Sequence, residues 1–120
     1  MARNLVVKIT VAAEAPERCA QALTVAATAV ASGIDVSVWF TGDSVWLLVP
    51  GREPSIDLPY STPIPDLLAA VAEGGTLTAC TQCLARRDLT QADLLPAVRI
   101  AGAAGFLDEA LTEGAQALVY

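Results

Sequence analysis

The feature that most constrains the fold is a regular alternation of short apolar runs with helix-like segments. The runs are rich in β-branched residues and bounded by turn-forming residues, which is typical of buried strands. They are "NLVVKITVAA" from residue 4, "IDVSVWF" from residue 34, "TLTAC" from residue 76, "AVRIAG" from residue 97 and "AQALVY" from residue 115. Helix-like segments separate each run from the next, and this order predicts an α/β fold of three layers around a mostly parallel sheet.

Residues at the edges of the helix-like segments predict where the helices begin and end. Pro16 suits the first turn of the first helix, and Gly33 suits the position just past its end. Asp43 and Ser44 follow the second strand, where capping a short helix is the preferred role over ligand binding. Thr62 is expected to cap the helix that follows a long proline-rich loop, and that loop is expected to be ordered but irregular.

Length and composition narrow the class of protein. The 120 residues predict one domain spanning 1–120. Seven Lys plus Arg against thirteen Asp plus Glu give a net charge of −6, so neither nucleic acid nor an anionic membrane surface is an expected partner. The apolar fraction of 54% exceeds the usual value of about 45–50%. This surplus favours a subunit interface and therefore a homo-oligomer.

Cysteine usage and the amino-terminal sequence indicate a cellular compartment. Three cysteines, an odd number, do not suit a secreted disulfide framework. Lys8 interrupts the apolar run that a signal peptide would need, and the longest apolar stretch is too short to span a bilayer. The sequence therefore predicts a cytoplasmic protein with reduced thiols.

The chain contains no histidine, which excludes Ser-His-Asp and Cys-His catalysis and histidine metal ligands. No phosphate-binding or dinucleotide fingerprint is present, so no cofactor is predicted. Parallel sheets bind ligands beyond the carboxyl ends of their strands. Four loops are predicted there, at residues 12–14, 41–43, 80–83 and 102–104, and Cys80 is the strong nucleophile among them.

Cys80 and Cys83 stand three residues apart in "TLTACTQCLARRDL", where a strand-like run changes to a helix-like one. The residues alone leave four interpretations open: a dithiol redox pair, half of a metal site, a sulfur-handling nucleophile, or two thiols buried in the core. Position weakens the redox interpretation, because the C-x-x-C of thioredoxin-like folds opens a helix near the start of the chain. A zinc site would lack two ligands, so no metal is predicted. Cys19, on an apolar helical face, is expected in the core.

The chain resembles the DsrE-like sulfur-relay proteins over nearly all of its length. The matching segments are "VVKIT", "EAPERCAQALTVAATAVASGIDVSVWFTGDSVWLL", the cysteine that ends the third strand with "LARR" behind it, and "LLPAVRIAGAAGFLDEAL". The order of these segments and the placed cysteine carry the resemblance. It implies a parallel five-stranded sheet with helices on both faces, and oligomers that are often trimers or hexamers.

The resemblance also implies a cysteine that carries sulfur as a persulfide, and Cys80 occupies its place. Arg86 and Arg87 occupy the basic pair behind it, and with Asp43 at a neighbouring strand end they are the candidate binding residues. Cys83 departs from the best-known carriers, and its expected role is that of a resolving partner. The expected function is a sulfur relay between donor and acceptor proteins through Cys80. The alternative is a non-catalytic oligomeric binding or scaffolding module of the same fold.

Overall fold

The computed structural model describes residues 3–120, and its centre is one sheet of five strands. The strands are β1 (Asn4–Ile9), β2 (Asp35–Phe40), β3 (Thr76–Cys80), β4 (Arg99–Ala101) and β5 (Ala115–Val119). Their order across the sheet is β4-β3-β2-β1-β5, and every neighbouring pair is parallel. The predicted α/β fold with a parallel sheet is therefore confirmed.

The helices are α1 (Pro16–Ala31), α2 (Ile64–Gly74), α3 (Thr81–Ala85) and α4 (Ala103–Ala110), with 3₁₀ helices at Gly42–Leu48 and Gln91–Asp93. Helix α1 begins at Pro16, whose missing N–H costs nothing in a first turn. Gly33, with a φ of 78°, stands just beyond its end, where a left-handed conformation suits glycine best. Both predicted ends of this helix are confirmed. No helix within residues 3–120 is long and apolar enough to cross a membrane.

The main core lies on the sheet face that α1 and α2 cover. Alternate strand residues point to this face, because successive side chains of a strand project to opposite sides. Helix α1 contributes a buried stripe that includes Leu23 and Ala26, and α2 contributes Leu67 and Val71. The strand residues that complete this core are Val7, Ile9, Val38, Phe40, Leu77 and Ala79.

The opposite face of the sheet is more polar and is covered by α4. Trp39 is 1% exposed, and its ring meets the ring of Phe106 edge to face, with 5.6 Å between centroids. Its indole N–H donates to Glu109, which also accepts from Ser37 and pairs with Arg99. The sheet is therefore covered on both faces, and Trp39 faces α4.

Two predicted helix caps are wrong. The 3₁₀ helix at Gly42–Leu48 begins after Thr41 without a side-chain cap, because both predicted capping residues have other partners. Ser44 is buried with its hydroxyl 2.8 Å from the Ile9 carbonyl oxygen, and Asp43 binds Arg87. Helix α2 likewise has no side-chain cap, since Pro63 occupies the capping position and Thr62 lies outside the helix.

Candidate functional site

Cys80 is the last residue of β3, at the carboxyl edge of the sheet, and α3 begins at the next residue. Strand β3 is an interior strand with β4 on one side and β2 on the other. The abrupt change from "TLTA" to "TQCLA" is therefore a strand-to-helix junction, as the sequence predicts. This junction places a thiol where the strand-end loops of a parallel sheet come together.

The surroundings of Cys80 favour its thiolate. The side chain is half-buried, and its sulfur lies 3.5 Å from the Gln82 side-chain oxygen. Partial burial raises the pKa of Cys80, but the backbone N–H and thiol of Cys83, the N–H of Gln82 and the charge of Lys8 together hold that pKa below its ordinary value. The thiolate is the form that acts as a nucleophile, so this environment favours reaction at Cys80.

Cys83 has a different environment one turn further on. It is buried, and its sulfur accepts a hydrogen bond from the backbone N–H of Gly42 at 3.1 Å. A side chain at Gly42 would be strained, because φ is +56° there and an added Cβ would lie 2.7 Å from the Thr10 carbonyl oxygen. Glycine thus brings the 41–43 loop close enough to contact Cys83. The two thiols are not equivalent, since an incoming reagent can reach Cys80 more easily than Cys83.

The candidate residues Asp43, Arg86 and Arg87 all lie around Cys83. The Arg87 guanidinium donates to Asp43 Oδ1 at 2.8 and 3.2 Å and to the Cys83 carbonyl oxygen at 2.9 Å. This arrangement ties the 41–43 loop to α3 and leaves Asp43 already paired. Arg86 is exposed, its Nη1 lies 4.0 Å from the Cys83 sulfur, and it forms no ion pair within residues 3–120. Of the two arginines, Arg86 is therefore the one whose guanidinium is available to a ligand.

Sequence reasoning missed three residues at this site: Lys8, Gly42 and Gln82. Lys8 lies on β1 with its ammonium 4.3 Å from the centroid of the Phe106 ring, and its charge acts on Cys80. The sequence signal for Lys8 is a single charged residue inside a mostly apolar strand. Gly42 and Gln82 make their contacts through the way the starts of two short helices pack together, which has no sequence signature.

The third cysteine is part of the core, as predicted. Cys19 is fully buried in α1. Burial, followed by the charge of Glu14, raises its pKa to about 11, and a buried thiol of this kind is inert. Within residues 3–120 no group of three metal-ligating side chains is found.

Comparison with known proteins agrees with this fold. The chain belongs to the DsrE/DsrF-like family, whose model matches residues 4–120. No curated protein matches it.

Two solved structures show the same fold. The ychN protein from E. coli superposes with a TM-score of 0.76 and 18% identity over the whole of both chains. A protein of unknown function from Methanobacterium thermoautotrophicum, MTH1491, has a TM-score of 0.73 and 18% identity, over 98% of this chain and 99% of its own. At this identity the likeness shows the fold alone.

Proposed function

We propose that this protein is a sulfur relay in which Cys80 accepts sulfane sulfur as a persulfide and passes it on. The observation that supports this most is a half-buried thiol at the carboxyl edge of the sheet, with backbone N–H groups and a lysine charge that favour its thiolate. Membership in the DsrE/DsrF-like family supports it as well. A single domain spanning residues 1–120, with no bound cofactor, is sufficient for this chemistry.

The proposed chemistry is two successive exchanges at sulfur. The Cys80 thiolate attacks the outer sulfur of a donor persulfide, the donor S–S bond breaks, and the donor thiolate leaves with the bonding electrons. An acceptor thiolate then attacks the outer sulfur of the Cys80 persulfide, and Cys80 leaves as a thiolate. Neither step needs an external oxidant or reductant, and both follow the rules of thiol–disulfide exchange.

Cys83 can react with the Cys80 persulfide and convert it to a disulfide, which no longer carries transferable sulfur. Cys80 immediately precedes α3 and Cys83 lies in the first turn of that helix, a spacing of three residues that brings side chains towards one helix face. If the Cys83 thiolate attacks the inner sulfur of the Cys80 persulfide, hydrosulfide leaves and a disulfide remains. Burial of Cys83 and its hydrogen bond from Gly42 slow this attack.

The reactivity of Cys80 with iodoacetamide tests this proposal. We expect the rate to rise with pH and to level off once Cys80 is ionised, because the thiolate is the attacking species. The midpoint should fall below that of an ordinary cysteine, since the pKa of Cys80 is lowered. Labelling followed at the Cys80 peptide by mass spectrometry gives this profile. A midpoint near 9 or above, or an unreactive thiol, would favour the alternative, a non-catalytic binding or scaffolding module.

We also propose that the chain forms a homo-oligomer, a trimer or a hexamer, through α4 and β5. Leu107, Leu111 and Val119 are 53%, 79% and 63% exposed, and β5 is an edge strand without a charged residue. Exposed apolar surface beside an edge strand that lacks charged residues favours association between copies of the chain.

Light scattering should give a multiple of 12.4 kDa at micromolar concentration, and Leu111→Glu should shift the mass towards the monomer. A wild-type monomer would contradict this proposal.

A further inference from the structure

Two cationic side chains, Lys8 and Arg86, approach the Cys80 region from different parts of the chain. We propose that they form an anion-recognition pair around Cys80 at the carboxyl edge of the sheet, which selects small persulfide donors whose organic part carries a carboxylate. The donor class rests on the proposed sulfur relay, whereas recognition of an anion by the pair can be measured without any sulfur transfer. Neither cation is part of an ion pair within residues 3–120.

The parallel register places Lys8 on the same side of the sheet as Cys80. Lys8 lies beside Trp39 of β2, and Trp39 lies beside Thr78 of β3. Cys80 follows Thr78 by two residues and therefore projects to the same side. The Phe106 ring, 4.3 Å from the Lys8 ammonium, fixes the position of the charge, and a cation above a ring keeps N–H donors for a further ligand.

Arg86 approaches from the end of α3. Its Nη1 lies 4.0 Å from the sulfur of Cys83, and Cys83 lies in α3, which begins directly after Cys80. The neighbouring Arg87 serves as a comparison within the same structure, because its guanidinium is occupied by Asp43 and by the Cys83 carbonyl oxygen. A planar guanidinium without such partners can bind a carboxylate through two N–H groups.

The positive charges of Lys8 and Arg86 would favour attack of the Cys80 thiolate on an anionic donor. A thiolate that attacks a carboxylate-bearing persulfide brings two negative charges together, in a chain whose net charge is −6. Cations beside the sulfur reduce this repulsion and raise the local concentration of the anion. The donor thiolate leaves with the electron pair of the broken S–S bond, and the new Cys80 persulfide keeps the transferred sulfur, so charge and atoms balance.

Alkylation by iodoacetate and iodoacetamide isolates the effect of reagent charge. The two reagents have nearly the same size, and both react with the same fraction of Cys80 thiolate. The ratio of their rates therefore reports recognition of the negative charge and cancels any change in the pKa of Cys80. We expect the iodoacetate to iodoacetamide ratio to fall by roughly three- to tenfold in the double variant Lys8→Gln, Arg86→Gln.

Further variants separate recognition from damage to the fold. Arg86→Gln alone changes an exposed residue and should lower the ratio part of the way, while Lys8→Arg keeps the charge and should retain it. Arg3→Gln removes a cation at the opposite end of β1 and should leave the ratio unchanged. Half-molar salt should bring the wild-type ratio close to that of the double variant, because the screening length then falls to about 4–5 Å.

Sulfur loading from 3-mercaptopropionate persulfide and from its methyl ester completes the test. We expect the carboxylate donor to load Cys80 faster than the ester in the wild type, and the difference to disappear in the double variant. An alkylation ratio that stays the same in the double variant would overturn the anion pair, even if both donors load Cys80. A ratio that falls as expected while neither donor loads Cys80 would support the anion pair and overturn the sulfur relay.

Discussion

Replacement of Cys80 by serine should reduce persulfide loading to background. A serine hydroxyl stays protonated near neutral pH, so it cannot supply the nucleophile, and Cys83 is too buried to take over. Incubation with a low-molecular-weight persulfide followed by intact mass spectrometry measures the effect. The wild type should gain one sulfur atom, and Cys80→Ser should gain none.

The matching Cys83→Ser variant should behave in the opposite way. It should load one sulfur atom as the wild type does, because Cys80 keeps its position at the end of β3. The persulfide should then last longer, since no neighbouring thiol remains to expel hydrosulfide. Serine is close to cysteine in size and keeps an oxygen that can accept from Gly42, so the variant should fold.

Cys19→Ala serves as the control for the loss of one thiol, because Cys19 lies in the core and has a raised pKa. Its loading should equal that of the wild type. Equal loading of Cys80→Ser and Cys83→Ser would show that the two thiols are interchangeable. Absence of loading in every folded variant, with a competent donor, would favour the binding module.

The sheet and the position of Cys80 could be predicted because both depend on local sequence. A run such as "TLTAC" is apolar and β-branched enough to be a strand, and it coincides with β3. The pattern of "AAGFLDEALTEG" predicts a helix over the whole segment, but α4 ends at Ala110. Gly114, with φ at +85°, instead lies in the turn just before β5, and local propensity cannot decide between these outcomes.

The contacts around the site could not be predicted because they join distant parts of the chain. Asp43 and Arg87 are 44 residues apart, and Gly42 and Cys83 are 41 apart. Only the order of the strands brings these loops together, and that order is not encoded in the pattern of any one strand. Lys8 became a site residue for the same reason, since its distance from Cys80 depends on β1 lying two strands from β3.

Trp39→Ala should cause the largest loss of stability, about 3–5 kcal/mol in the free energy of unfolding. The side chain is almost fully buried between the sheet and α4, and it packs edge to face on Phe106. Its removal leaves a cavity and takes away one of the donors that hold the pKa of Glu109 low, which partial burial by itself would raise. Urea denaturation followed by circular dichroism gives the free energy.

Two further variants identify the cause of that loss. Trp39→Phe keeps an aromatic ring but removes the indole N–H that lies 3.1 Å from Glu109, so it should cost about 0.5–1.5 kcal/mol in addition to a small packing loss. Trp46→Ala is the matched control, because this tryptophan is only half-buried and the exposed Arg52 guanidinium lies over its ring, 4.5 Å from the centroid. Its loss should be clearly smaller than that of Trp39→Ala. Equal losses of stability at the two positions would mean that Trp39 does not anchor α4 to the sheet. The packing of α4 on this face of the sheet would then depend on other contacts.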